Sequence, residues 1–197
     1  STPKYSKASV TFVLCSPKPF NHLEFRISAP SCDGTLAQEN TGSLTQMRVR
    51  KISEQQDSFG LTHTTVVLSF PASVTYSATD PADAPEPVNF KSWSPEHPWL
   101  YPFTLNADED TVDGYFAMRC FSVEKDSKGI LRFCLNHKPY FLHGILDQGY
   151  WSDGLMTAPC DEAFVYDISL AKGLGFNMLR KHIKLESLRW YYHCDRL

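Results

Sequence analysis

The sequence predicts a mainly β protein in two parts: an antiparallel β-sandwich, then the opening strand–helix units of a parallel sheet. Three observations predict it. From Val10 to about Val123, short apolar–polar alternations are separated by turn residues, the pattern of half-buried antiparallel strands. After about Gly129 the period changes, and the order becomes strand, loop, helix, strand, helix, that of parallel βαβ units. A hydrophobic content of 42%, with 13% aromatic residues, in a chain of 197 residues is ample for packed cores.

In the first part, Leu23, Phe25 and Ile27 alternate with Glu24, Arg26 and Ser28, so one strand is expected there. Met47 and Val49 alternate with Arg48 and Arg50, and Val66, Leu68 and Phe70 with Thr65, Val67 and Ser69. SCDG, ENTGS and the proline-rich TDPADAPEPV are read as loops, since Pro81, Pro85 and Pro87 cannot donate to a ladder. In SWSPEHPWLYPFTL, Trp99, Tyr101 and Phe103 share one face, Pro102 argues for an edge strand, and the aromatic cluster with Trp93 is read as core. TVDGYFAMRCFSVE is expected to be one long strand, and KDSKG, from Lys125 to Gly129, the turn that separates residues 1–124 from 125–197.

In the second part, ILRFCLN and KPYFLHGIL are apolar runs joined by Asn136 and His137, and the second predicts a strand covered on both faces. DQGYWSDGLMTAP is read as a loop. A helix is expected from Asp161, with Phe164, Ile168 and Ala171 on one stripe, acidic residues in its first turn, Lys172 in its last, and Gly175 to stop it. GFNMLRKHIKLE is the next strand, and LESLRWYYHCDRL begins a second helix. That strand ends in Arg180, Lys181, His182 and Lys184 where a strand that only filled a core would close with turn residues.

Composition excludes several function classes. A net charge of -3 and 21% charged residues give no positive field for a phosphate backbone, so no nucleic acid partner is expected. No run approaches the roughly 18 apolar residues of a membrane helix, and STPKYSKASV has no secretory core, so no membrane partner is expected. Cys15, Cys32, Cys120, Cys134, Cys160 and Cys194 are scattered without CxxC spacing and are read as reduced thiols, which implies a cytoplasmic location. His137, His143, His182 and His193 have no zinc-like spacing with Cys134, Cys160 or Cys194, and there is no glycine-rich phosphate loop or serine elbow. No metal and no cofactor are therefore expected.

SWSPEHPWLY at 92–101, YFAMR at 115–119, LNHKPYFLHGILDQGYW at 135–151, DISLAKGLGFNMLRKH at 167–182 and YYHCDRL at 191–197, in that order, resemble glycoside hydrolase family 2. That family includes β-galactosidases, β-glucuronidases and β-mannosidases. The resemblance implies an immunoglobulin-like β-sandwich over 1–124 and the N-terminal part of a (β/α)8 catalytic barrel over 125–197. Residues 131–197 number only 67, against about 250 for a complete barrel, so the chain reads as a fragment. The family's acid/base and nucleophile are glutamates on later barrel strands, and neither Asn-Glu motif occurs here, so no catalytic residue is expected in this chain.

Ligand-facing residues of a parallel barrel sit at the carboxyl ends of its strands, which answers why the second strand ends in cations. Arg180 and His182 match the arginine and histidine of the family motif that begins here at Asn177, and so imply contacts to sugar hydroxyls and catalytic carboxylates. Lys184 replaces or supplements His182. At the end of the first barrel strand, Asp147 and Gln148 are candidates for sugar hydroxyls and Trp151 for the flat face of a pyranose. Asp195 is read as structural.

The expected parent is a retaining β-glycosidase, β-galactosidase-like, acting on a β-galactoside or β-glucuronide. This chain, which lacks the glutamates, is expected to be inactive. An incomplete barrel leaves an unpaired sheet edge, so self-association as a homo-oligomer, or local disorder over 131–197, is a further expectation. The alternative is a non-enzymatic β-sandwich module for interaction or carbohydrate binding.

Overall fold

The computed structural model describes residues 8–18, 20, 22–27, 48–70 and 91–197. SCDG, ENTGS, TDPADAPEPV, Met47 and Cys32 lie outside the described residues. Among the described residues, no helix is long and apolar enough to cross a membrane.

The chain is mainly β, as predicted. Strands β1 (Ala8–Ser16), β3 (Arg48–Gln56) and β4 (Thr62–Phe70) form one antiparallel sheet in the order β1-β4-β3. Strands β2 (Leu23–Ile27), β5 (Tyr101–Ala107) and β6 (Asp110–Phe116) form a second, in the order β2-β5-β6. Phe12 and Leu14 of β1 and Val66 of β4 pack with Phe25 of β2 and with Tyr101, Phe103 and Leu105 of β5. The rings interlock: Phe12 meets Phe103 edge-on at 5.4 Å, and Phe25 stacks on Phe103 at 5.0 Å.

Two strand expectations are corrected. Pro102 pointed to an edge strand, but β5 is the middle strand of its sheet. Among the described residues its ladder with β2 runs from Leu23–Ala107 to Ile27–Phe103, and on its other side Pro102 stands opposite Tyr115 of β6. The expected long strand from Thr111 is two: β6 ends at Phe116, and β7 (Phe121–Lys125) belongs to another sheet. Residues 117–120 leave the ladder to meet other segments. Trp93 donates its backbone N–H to the Met118 carbonyl at 2.9 Å, and the Cys120 N–H goes to the Asn136 side chain at 3.1 Å.

Gly114 stands opposite Phe103 on the neighbouring strand, and a methyl group at 114 would fall within the Phe103 ring. Gly114→Ala is expected to lower stability by about 1–2 kcal/mol through overpacking, read as a shift in the urea midpoint. An unchanged midpoint would show that the ring relocates freely.

Strands β7, β8 (Leu131–Leu135) and β9 (Lys138–Pro139) form a third antiparallel sheet. The β7–β8 hairpin straddles residues 124 and 125, the position expected to part the two halves. Asn136 and His137, between β8 and β9, take φ values of 52° and 62°, the conformation of a two-residue hairpin turn. The Asn136 side chain is buried and also donates to the Trp93 carbonyl at 2.9 Å, which fixes this sheet to the SWSP segment.

Strand β10 (Gly144–Asp147) pairs in parallel with β11 (Met178–Lys181), with helix α1 (Asp161–Gly173) between them in the chain and helix α2 (Leu188–Arg196) after them. Helix α1 buries the expected stripe of Phe164, Ile168 and Ala171. It stops at Gly175, whose φ is 89°, with Gly175 N–H bonded to the Lys172 carbonyl and Phe176 N–H to that of Ala171, a Schellman closure. Phe164, Ile168 and Trp190 form the core beneath β11, joined by Leu179. The expectation that the KPYFLHGIL run is covered on both faces is corrected: Phe141 is 82% and Leu146 54% exposed. The helices cover one face of the two-stranded sheet, and the other stays open among the described residues.

Asp195 joins the two parts. Its carboxylate accepts from Arg119 at 2.6 Å and from the Tyr115 hydroxyl at 3.0 Å, while its carbonyl accepts from the Trp93 indole at 2.6 Å. Arg119 also stacks on the Trp93 ring, 4.5 Å from its centre. Trp93 and Tyr101 are buried, as expected of core, and Trp99 carries the Lys91 ammonium over its face.

Candidate functional site

The site is built where β10 and β11 end side by side. Parallel pairing sets Leu146 beside Arg180 and Asp147 beside Lys181. Successive strand residues point to opposite faces. Leu179 packs into the helix-side core, so Lys181 shares that face and Arg180 lies on the other. Beyond the ladder, Ile183 adopts φ 74°, a strained conformation for a β-branched residue. The strain sits where the chain turns back to carry Lys184 and Glu186 over the strand ends.

An ion cluster results. Lys181 contacts Asp147 at 2.8 Å and Glu186 at 3.0 Å, and its ammonium lies 4.5 Å from the centre of the Trp190 ring. Lys184 contacts Glu186 at 2.8 Å and donates to the carbonyls of Gly149 at 2.8 Å and Met156 at 2.5 Å. Side-chain exposure is 10% for Lys181, 9% for Lys184 and 6% for Glu186, so the charges meet largely out of water. Burial pushes the Glu186 carboxyl up, but hydrogen bonds from Lys184 and Lys181 and their charges outweigh it, and the group titrates below its ordinary range. Desolvation and the neighbouring Asp147 charge raise Asp167 against the pull of Lys181. Gly149 has φ 61° and its Cα faces the ends of Glu186, Lys184 and Lys181, so no side chain fits there.

Each sequence-predicted residue can now be placed. Lys184 donates to two backbone carbonyls and forms an ion pair with the Glu186 carboxylate. Asp147 bonds Lys181 through one oxygen and caps the Gly149 N–H at 2.9 Å through the other. Gln148 meets His182 Nδ1 at 2.9 Å, and the His182 backbone N–H extends the ladder to the Asp147 carbonyl at 3.0 Å. Trp151 sets its ring edge-on to Phe164 at 6.1 Å, with its indole N–H buried. Arg180 is exposed and makes no ion pair with any described residue. The structure thus brings Asp147, Gln148, His182 and Lys184 together at one rim, leaves Arg180 on the open face, and sets Trp151 in the loop core.

Lys181 and Glu186 were missed by sequence reasoning. Strand alternation alone puts Lys181 on the face opposite Arg180, and that was the available signal. Nothing local marked Glu186. Asn177 pins the start of β10 to that of β11: its side chain takes the His143 N–H at 2.8 Å and donates to the Phe141 carbonyl at 2.9 Å.

No family model and no curated protein matches the sequence. Among solved structures, the chain is similar to a family 2 glycoside hydrolase, the β-galacturonidase of Eisenbergiella tayi bound to galacturonate. The two are 18% identical over 87% of this chain and 30% of that one, with a TM-score of 0.50. The chain shares that fold. It is also similar to the β-glucuronidase of Parabacteroides merdae, at 21% identity over 54% of this chain and 13% of that one, TM-score 0.45. An exo-chitosanase of Amycolatopsis orientalis matches at 17% identity over 68% and 14%, TM-score 0.45. The chain therefore spans 13% to 30% of the length of these solved chains. These neighbours are named as uronidases and a chitosanase rather than as β-galactosidases.

Proposed function

We propose that this chain forms the sandwich and the first two barrel strands of a retaining β-glycosidase, with residues 125–197 supplying one wall of the sugar site. The observation that carries the reading is the parallel β10–β11 pair, whose carboxyl ends hold Gln148 hydrogen-bonded to His182 beside an exposed Arg180 that has no ion-pair partner among the described residues. Active sites of parallel barrels are assembled at that end. On this reading the Asp147–Lys181–Glu186–Lys184 cluster is the frame and not the contact surface, because its charges are paired with one another and its lysines and Glu186 are largely enclosed. Gln148, His182 and Arg180 are the groups left to meet substrate.

The favoured substrate is a β-linked uronide. A guanidinium that has no counterion among the described residues suits a sugar carboxylate, which it grips through two charge-assisted hydrogen bonds. The chemistry would be double displacement by two glutamates carried on further barrel strands. Asp147 and Glu186 cannot stand in for them, since each is held as a counterion.

The 197-residue chain alone is expected to show no turnover of nitrophenyl β-glucuronide, β-galacturonide or β-galactoside, assayed by nitrophenol release. Measurable hydrolysis would overturn the reading. Sequencing the message beyond the Leu197 codon tests it from the other side. An open frame carrying Asn-Glu motifs supports the enzyme, and an immediate stop codon leaves an interaction module.

A further inference from the structure

The antiparallel register of β1 and β4 sets Cys15 directly across from His63. They lie on the outer face of the sandwich, where alternation exposes Thr11, Val13 and Cys15. Cys15 Sγ is 3.2 Å from His63 Nδ1, and His63 Nε2 is 2.8 Å from Asp57 Oδ2. The His63 hydrogen bond, then the backbone N–H of Leu61, holds the Asp57 carboxyl below its ordinary range. An ionised carboxylate only accepts, so the ring proton sits on Nε2 and the Nδ1 lone pair faces the thiol. Nucleophile, proton acceptor and orienting carboxylate therefore stand in line, the arrangement that activates a thiol.

The hairpin presets this geometry. Asp57 Oδ1 accepts the N–H groups of Phe59 and Leu61 at 2.9 and 3.0 Å, and Gly60 takes φ 81°. Asp126 repeats the device, accepting from Lys128 and Ile130 at 2.8 and 3.0 Å with Gly129 at φ 76°. In both hairpins the second carboxylate oxygen is aimed six residues on, at His63 in one and at Arg132, 2.9 Å away, in the other. At the first, the turn aims an imidazole whose far nitrogen meets a thiol.

The other described cysteines are placed differently. Cys134 is buried, and burial chiefly pushes the Cys194 thiol up to about 12. Cys120 faces the Phe121 carbonyl, and Cys160, exposed like Cys15, hydrogen-bonds Glu162 and not an imidazole.

We propose that Cys15, His63 and Asp57 form a thiol-oxidation site at which a hydroperoxide converts Cys15 to a sulfenic acid. The thiol proton passes to His63 Nδ1, and Sγ attacks a peroxide oxygen. An S–O bond forms as the O–O bond breaks; sulfur loses two electrons, and the peroxide is reduced. The departing hydroxide or alkoxide takes the proton back from His63 and leaves as water or alcohol. Cys15 is the reacting group, His63 carries the proton, and Asp57 is a positioning residue. The site stands on the outer sheet face and is independent of the glycosidase reading.

The test exposes the whole chain to hydrogen peroxide, traps sulfenic acid with dimedone and quantifies each cysteine by peptide mass spectrometry. Cys15 is expected to label at least about tenfold faster than Cys160, and His63→Gln to remove that advantage. Asp57→Asn keeps an acceptor for the turn but presents an amide donor to Nε2. It should move the ring proton to Nδ1, seen by nitrogen NMR of His63, and slow Cys15 labelling by a similar factor with the urea midpoint little changed. Cys15 labelling no faster than Cys160, or rates unaltered by both substitutions, would overturn the proposal.

Discussion

Replacing Glu186 by glutamine is expected to destabilise the β10–β11 end by about 3 kcal/mol, the cost of leaving enclosed ammonium groups short of an anion. Glu186 is the shared counterion of Lys181 and Lys184, at 3.0 and 2.8 Å, and Asp147 reaches Lys181 but does not pair with Lys184. The change is nearly isosteric, so the loss reports charge and not packing. Its pH dependence has a definite sign. The folded-state pKa of Glu186 lies below the ordinary 4.5, so the stabilisation is fully present above the unfolded value and is lost as pH falls through the folded one. Urea midpoints of the parent and of Glu186→Gln should therefore differ by a constant amount near neutrality, and the gap should begin to close as pH falls through the ordinary carboxylate range and continue to close below it. A gap that persists unchanged in acid would rule out an ionic origin.

Asp195→Ala should uncouple the sandwich from the parallel half at a cost of about 3 kcal/mol, the low end for two hydrogen bonds to a charged group, since Arg119 remains partly in water. The carboxylate holds Arg119 at 2.6 Å and Tyr115 at 3.0 Å, whereas the bond from the Trp93 indole goes to the backbone and survives the substitution. Burial, then the charge of Asp195, holds the Tyr115 hydroxyl well above its ordinary range, so that oxygen remains a donor at any working pH. Hydrogen exchange is the measurement. Amides of α2 should lose protection while those of β4 and β5 keep theirs, and a uniform loss would show that Asp195 serves global stability and not the joint.

Elements governed by local geometry were legible in the sequence. Helix α1 was readable because Phe164, Ile168 and Ala171 recur at the helical period and Gly175 can adopt the positive φ its closure needs. The Asn136–His137 hairpin and the parallel partner at Met178–Lys181 were readable for similar reasons. Pro102 misled because proline is disfavoured in a central strand only where its missing N–H is needed, and which strands flank β5 is set by the β2-β5-β6 order and not by local sequence. The length of β6 misled because residues 117–120 are drawn off by partners distant in the chain, Trp93 and Asn136. At the rim, the sequence placed cations at a strand end but did not tell the one left open, Arg180, from those enclosed, Lys181 and Lys184.

The residues on their own specified the mainly β character, helix α1 with its stop at Gly175, the parallel order of β10 and β11, and the run of cations at the end of β11. The tertiary structure alone decided which of those side chains are satisfied within the chain, that Asp195 ties Trp93, Tyr115 and Arg119 into one joint, and that Cys15 faces His63. The physical reason is range. Backbone period and capping act over a few residues, whereas the burial and pairing that set a charge's role depend on groups 34, 76 and 48 residues away, as in Asp147–Lys181, Arg119–Asp195 and Cys15–His63.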